Sequence, residues 1–294
     1  MTFSALLTKE LRSRLRRERS IWLIIAYLCV LGLLGFVFLL RANAFSGGSR
    51  VYLLSQTGAQ LYALLSLVQL AWVVFIAPAF TATSVNGEKE RQTYDLLLCS
   101  KLSAFSLLTG KLIAGLANVL LLIVASIPLF SLVFFFGGVA PAQVFAMLLI
   151  CVMTAIVAGT FGLFCSTLFQ RPNVSTAIAY GFCVLWMFAY WVVYYLISSG
   201  TPPGNPHAIA WVQGLNAWNP IAALNSVVSG GQGVVTNFTF FRWHLAPWLA
   251  FTLISLVVAI LLFLLSSAFV KPNTPGRFLA WMRLRSKRMK PSTA

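Results

Sequence analysis

Negative charge is scarce in this sequence and absent from most of it. The five acidic residues all lie at or before position 95, whereas 21 residues are Lys or Arg. Both histidines come after Asp95, so no carboxylate follows that could orient them in a Ser/His/Asp catalytic set. Gly110-Lys111 is followed by Leu112, and no P-loop motif for binding ATP is present. We therefore expect no catalytic residues in this chain.

Metal-binding side chains are equally scarce. His207 and His244 are far apart and have no cysteine at metal-ligand spacing, so we expect no metal site. Four of the five cysteines fall in apolar runs and Cys99 lies in a basic stretch, which predicts no disulfide framework. Nine Trp and two His could suggest a haem- or quinone-handling protein, but membrane haem sites usually have histidines within the spans.

Charge of either sign is too rare for a soluble domain. Only 9% of the residues are charged and 60% are hydrophobic, with a mean hydropathy of +0.88. A soluble domain carries about 25% charged residues. The net charge of +16 arises from short basic clusters between long uncharged runs, a pattern typical of membrane proteins rather than of nucleic-acid binding. The composition predicts an all-α integral membrane protein that is covered by the lipid bilayer.

Six apolar runs are long enough to cross a bilayer, which takes about 20 residues of helix. They are Ile21 to Leu40, Gly58 to Ser84, Leu112 to Val139, Ala142 to Phe169, Ser175 to Ser199 and Leu245 to Val270. With both termini in the cytosol, 18 Lys and Arg lie inside and 3 outside, as the positive-inside rule requires. The sequence therefore predicts a multi-pass protein of the cytoplasmic (inner) membrane, with its membrane domain over residues 21–270.

The segments that flank the spans have patterns of their own. Phe3, Leu7, Leu11 and Leu15 recur every four residues, which predicts an amphipathic interfacial helix over residues 1–20. Residues 271–294 form a basic cytosolic tail. In the outer segment 200–244, Asn219-Pro220 begins a short apolar helical pattern that ends at Gly230-Gly231. We predict short re-entrant or interfacial helices in this segment.

The predicted spans contain no clear Asp, Glu, Lys or Arg, which ion-coupled carriers and proton pumps usually need. Gln69, Asn118 and Tyr190 are polar residues at membrane depth. They are candidates for the substrate pathway, although hydrogen bonds between helices explain such residues more often. Ala155, Ala158, Gly159 and Gly162 have the small-residue spacing that permits close helix packing.

The loop between the second and third spans concentrates three of the five acidic residues. A helix over residues 86–100 would place Glu88 and Glu90 in its first turn, where the helix dipole favours negative charge. Such a charged helix suits docking to another protein, but a solvated helix cap explains the same pattern equally well.

This loop resembles that of the type-2 permeases of ATP-binding-cassette (ABC) transporters. Those proteins carry Glu-x-Glu-x-Gly/Gln-Thr followed by leucines after the second span, and a Gly-Lys pair opens the third span. The matching residues here are Glu88, Glu90, Gln92, Thr93, Leu97, Gly110 and Lys111. Asp95 stands where Glu is usual.

The resemblance implies a permease subunit with a type V exporter-like fold. It would form a homo- or heterodimer and dock a separate P-loop ATPase, which would bind ATP and Mg²⁺, so that this chain needs no cofactor. Residues 86–100 would be the coupling helix, with Glu90, Arg91 and Thr93 as contacts and Glu88 as its cap. The alternatives are an ATP-independent facilitator and a membrane tether or sensor.

Overall fold

The structure, a computed structural model, describes residues 18–44, 50–87, 104–169, 171–200, 217–229, 238–240 and 243–269. Its elements are α1 (Glu18–Ala44), α2 (Arg50–Thr81), α3 (Ala104–Phe136), α4 (Pro141–Leu168), α5 (Pro172–Gly200), α6 (Pro220–Val228), β1 (Phe238–Phe240), β2 (Trp243–Leu245) and α7 (Pro247–Phe269). Apart from the two three-residue strands, every element is a helix, as the composition predicted. Most of the predicted N-terminal helix and the basic tail lie outside the described residues.

Six of the helices are long and apolar enough to span a membrane, and each contains one of the six predicted runs almost completely. The main difference concerns α3, whose apolar stretch begins at Phe105 rather than at Leu112. Lys111 therefore lies near the start of this apolar stretch rather than before it. The hydropathy pattern alone places the start of the span just after the lysine. The helix begins two turns earlier, because Phe105, Leu107 and Leu108 are also apolar.

The helices form a bundle around α4, which packs against α2, α3, α5, α6 and α7. Buried residues make up 61% of the apolar stretch of α4, against 22% for α5 and 11% for α1. The large apolar side chains on the outer faces of α1, α5 and α7 are exposed, as expected for residues that face lipid. We call the end of the bundle that carries residues 82–104 the loop end.

Near the loop end, α2, α3 and α4 approach closely because glycines face the side chain of Thr81. A Cβ atom at Gly115 would lie 2.8 Å from Thr81 Cγ2, and one at Gly162 would meet Thr81 Oγ1. Gly159 faces Leu116 and Thr81 in the same way. The small residues of α4 that were predicted to permit close helix packing therefore leave space for the side chain of Thr81 of α2.

At the opposite end of the bundle, a tight turn connects α3 to α4, and side-chain hydrogen bonds connect neighbouring helices. Gly137 and Gly138 adopt positive φ values of 76° and 83° in the α3–α4 turn, a conformation that favours glycine. The Tyr62 hydroxyl donates to the Gln143 carbonyl oxygen at 2.8 Å, and Gln143 Nε2 donates to the Val227 carbonyl oxygen at 3.1 Å. These bonds link α2, α4 and α6.

The short helix α6 confirms the prediction made from Asn219-Pro220. Asn219 Oδ1 accepts hydrogen bonds from the backbone N–H groups of Ile221 and Ala222, so it caps the helix, and Pro220 occupies the first helical position. Ala223, Leu224 and Val227 are buried against the bundle. After α6, β1 and β2 pair as an antiparallel ladder that the sequence patterns did not indicate.

Candidate functional site

The segment between α2 and α3 contains the residues that the sequence analysis singled out. Glu88, Glu90, Arg91 and Thr93 lie outside the described residues. The structure does describe both ends of this segment: helical geometry returns at Asn86 and Gly87, and α3 begins at Ala104. The restart at Asn86 agrees with the predicted start of the loop helix.

The segment is attached to the bundle through residues 82–87, which we call the loop root. Ser166 Oγ of α4 accepts hydrogen bonds from the backbone N–H groups of Val85 and Asn86, at 2.9 and 3.1 Å. Ser175 Oγ of α5 donates to the Ala82 carbonyl oxygen at 2.8 Å. Backbone groups released at the end of α2 are thus bound by side chains of two other helices.

Lys111 of α3 completes this set of contacts. Its Nζ donates to the Ser84 carbonyl oxygen at 2.6 Å, and only 2% of the residue is exposed. Burying an ammonium group is costly unless strong hydrogen bonds compensate for the lost water. The bond to the Ser84 carbonyl oxygen thus stabilises the buried ammonium group and connects α3 to the root.

Apolar contacts support the same attachment. Val85 of the root forms a fully buried cluster with Leu108 of α3 and Leu163 of α4. The root is therefore bound to α3 and α4 by both packing and hydrogen bonds, and to α5 by one hydrogen bond. The root therefore connects the loop to three helices besides α2.

The side chain of Asn86 is fully buried at the edge of the described residues. Neither Oδ1 nor Nδ2 hydrogen-bonds to any residue that the structure describes. An unsatisfied buried amide costs about 1–3 kcal/mol per group. A second arrangement of the loop root that paired this amide would recover that free energy.

The candidate pathway residues Gln69, Asn118 and Tyr190 are not shown to form one site. Gln69 is buried in α2, and its Oε1 has no hydrogen-bond partner in the described part of the chain. Asn118 lines a small cavity among α1, α2 and α3, together with Leu23, Ile24, Phe80 and Leu122. The backbone of Tyr190 belongs to α5, and its side chain lies outside the description.

Sequence reasoning identified Lys111 only as part of a motif and missed Ser166 and Ser175 altogether. The Gly110-Lys111 pair was a signal, because a lysine at the edge of a span needs a partner or an exit to water. Ser166 and Ser175 gave no such signal in the sequence, because most serines in helices hydrogen-bond within their own helix and these two look no different.

The comparisons with known proteins agree with this arrangement. Residues 40–266 match the model of a family described as ABC-2 family transporter protein. No curated protein matches the chain. The matched range includes all six apolar helices at least in part, the loop root and α6. Proteins of this kind are the membrane permease components of ABC transporters, and this chain belongs to the ABC-2 family.

Proposed function

We propose that this permease exports a substrate across the cytoplasmic membrane by using ATP that a separate subunit hydrolyses. The chain would supply the membrane path, and the ATPase would supply Mg²⁺ and nucleotide binding. Two permease protomers, identical or related, would complete the path. The loop after α2 would be the docking site of the ATPase.

The observation that carries this proposal is the attachment of the loop root to the bundle. Lys111, Ser166 and Ser175 bind residues 82–86 from three different helices. A force applied to residues 88–103 would therefore displace α3 and α4 together with α2 and would load the single hydrogen bond from Ser175 of α5. A solvated loop without a mechanical role needs no such buried hydrogen bonds at its root.

The residues beyond the root supply the docking chemistry in this proposal. Glu90, Arg91 and Thr93 would contact the ATPase, and Glu88 would stabilise the start of the coupling helix through the helix dipole. The amphipathic helix over residues 1–20 would lie beside it on the cytosolic face. ATP-driven closure of the ATPases would then move both elements and reorient the spans.

Co-purification of the tagged protein from its native membranes in mild detergent tests the docking. We expect a P-loop ATPase to be recovered with the native chain and to be lost with Glu90→Arg, because the reversed charge would oppose docking. Lys290→Glu, a charge reversal of equal size in the tail, should retain the ATPase. Recovery of no ATPase in several detergents would favour a facilitator or a tether instead.

A second variant separates docking from transmission. Lys111→Met removes the donor to Ser84 but leaves Glu90 unchanged, so we expect the ATPase to co-purify while ATP-dependent flux falls at least tenfold. Arg41→Met removes an exposed positive charge at the opposite end of the bundle and should retain flux. Native flux in Lys111→Met would refute the role of the root in transmission.

A further inference from the structure

The loop-end half of α5 is held on α2 and on the first residue of the loop root by two hydroxyl groups. Ser175 Oγ donates to the Ala82 carbonyl oxygen at 2.8 Å, and Tyr180 Oη donates to the Phe75 carbonyl oxygen at 3.0 Å. The rings of Phe75 and Tyr180 are also in contact, with centroids 6.3 Å apart. We call these four residues the α2–α5 seam.

Bonds of this kind are uncommon among the hydroxyl groups that the structure describes. Most buried serines and threonines donate to a carbonyl three or four residues earlier in their own helix. Examples are Ser66, Thr81, Ser126, Thr154, Thr160, Ser226 and Thr252. Ser175 and Tyr180 instead reach across to a neighbouring helix.

The two acceptor carbonyls of the seam flank Pro78, which lies inside α2. Proline has no N–H group, so the carbonyl four residues earlier, that of Val74, loses its regular helical donor, and the ring disturbs that turn. Phe75 is in the disturbed turn and receives the Tyr180 hydroxyl. The second acceptor, Ala82, lies just beyond the end of α2.

The contacts of α2 with α3 and α4 near the loop end depend on close backbone packing, unlike the hydroxyl hydrogen bonds of the seam. Thr81 is enclosed by Gly115, Gly159 and Gly162, and these backbones leave no room for an added methyl group. In contrast, only 22% of the apolar stretch of α5 is buried. Because apolar surface gains little from helix association in lipid, the two hydroxyl bonds contribute much of the α2–α5 attachment.

Further along, α5 is anchored to the rest of the bundle. Asn219 Nδ2 donates to the carbonyl oxygens of Trp186 and Met187, and Trp186 Nε1 donates to the Trp218 carbonyl oxygen at 2.7 Å. The rings of Phe182 and Phe161 stack at 3.8 Å, which joins α5 to α4. Trp186 lies about 21 Å along the helix from Pro172.

We infer that Ser175 and Tyr180 are positioning residues that keep the loop-end half of α5 on α2, and that this seam opens when the loop root moves. α5 pivots at its anchor near Trp186, while α2, α3 and α4 move together. The role of the loop root in this motion rests on the proposed function. The existence of a releasable seam does not.

A native cysteine reports on the seam. Cys165 of α4 forms a buried cluster with Ala82 of the loop root and Ala179 of α5, and it is 2% exposed. Opening of the seam would uncover its thiol close to the loop end. Cys151, on the same helix, is fully buried in the main core and provides a matched control.

Alkylation by N-ethylmaleimide in lipid nanodiscs tests the seam in single-cysteine chains that retain Cys165 or Cys151. We expect Tyr180→Phe and Ser175→Ala each to raise the Cys165 rate about threefold, and the double variant about eightfold, if each bond has the average strength measured between membrane helices. The Cys151 rate should stay unchanged. An unchanged Cys165 rate in the double variant, or an equal rise at Cys151, would overturn the inference.

The same reporter, measured with the ATPase bound, tests the link to the loop root. We expect the Cys165 rate to differ at least threefold between the nucleotide-free and the ATP-trapped complex. Equal rates in both states would overturn the coupling of the seam to the loop. If no ATPase binds, the proposed function fails, while the variants without ATPase still decide whether the seam is releasable.

Discussion

Thr81 shows how a single residue determines which helices of this bundle pack closely. Its hydroxyl donates to the Ala77 carbonyl oxygen in its own helix, so the side chain needs no polar partner elsewhere. The side chain can therefore fill the space that the glycines of α3 and α4 leave free. Close backbone approach of this kind is a common means of helix association in membranes.

Replacement of Gly162 by alanine tests this packing. The added methyl group would meet Thr81 Oγ1 and lie 3.2 Å from the Ala82 backbone nitrogen. We expect the free energy of unfolding, measured by titration with a denaturing detergent, to fall by about 1–3 kcal/mol. Gly181→Ala, a helical glycine with open space around it, should not be destabilised.

A double variant identifies the source of this loss. Thr81→Ala removes the atoms that Gly162→Ala would meet, so the combination should recover part of the stability and the two effects should not add. Additive losses would show that the two side chains do not compete for the same space.

At the scale of residues, the sequence predicted types of contact but not partners. The spacing of Gly159 and Gly162 indicated close packing, yet nothing in it identified Thr81. The bonds of Ser166, Ser175 and Tyr180 depend on how α4 and α5 lie against α2, which no local pattern encodes. The residues predicted to contact an ATPase, from Glu88 to Thr93, remain predictions.

At the scale of elements, α6 combines two functions in one side chain. Asn219 caps the helix through Oδ1 and holds α5 through Nδ2. The first function was predictable because an N-cap followed by proline is a local signal. The second was not, since it depends on the position of carbonyl groups more than 30 residues away.

Two substitutions at Asn219 separate these functions. Serine is also a good N-cap, but its side chain is too short to donate to the Trp186 and Met187 carbonyl oxygens as the amide does. Alanine loses both functions. We expect hydrogen exchange at the Ile221 and Ala222 amides to be about fivefold faster in Asn219→Ala, equivalent to about 1 kcal/mol, and close to native in Asn219→Ser. Both variants should reduce thermal stability, because both release α5.

The exchange measurement contains its own control. Amides in the centre of α4 are not affected by the cap and should exchange at native rates in both variants. Equally fast exchange at Ile221 in the two variants would contradict the capping function of Asn219.

The long elements were predicted well because the bilayer constrains them. A span has a minimum length and excludes charge, so six apolar runs were enough to locate six helices. The start of α3 was misplaced because Lys111 was taken as a boundary. The β1–β2 ladder was missed because three-residue strands have too few residues for an alternation to be recognised.

At the scale of the whole molecule, the distribution of basic residues predicts the orientation. The 18 Lys and Arg on one side include the six before Ile21, the seven in the tail and those around the α2–α3 loop. The opposite side has only Arg41, Arg50 and Arg242. Such a bias is the strongest determinant of membrane orientation for segments of this length.

Cysteine labelling of intact cells tests this orientation. In a chain without native cysteines, we expect a membrane-impermeant maleimide to label Ser46→Cys in intact cells, and Ser292→Cys only after permeabilisation. The reverse pattern would place the α2–α3 loop outside the cell, where no ATP is available to a docked subunit. Since α7 ends beside the loop-end part of α4, this measurement also decides whether an ATPase could act on Lys111, Ser166 and Ser175 at all.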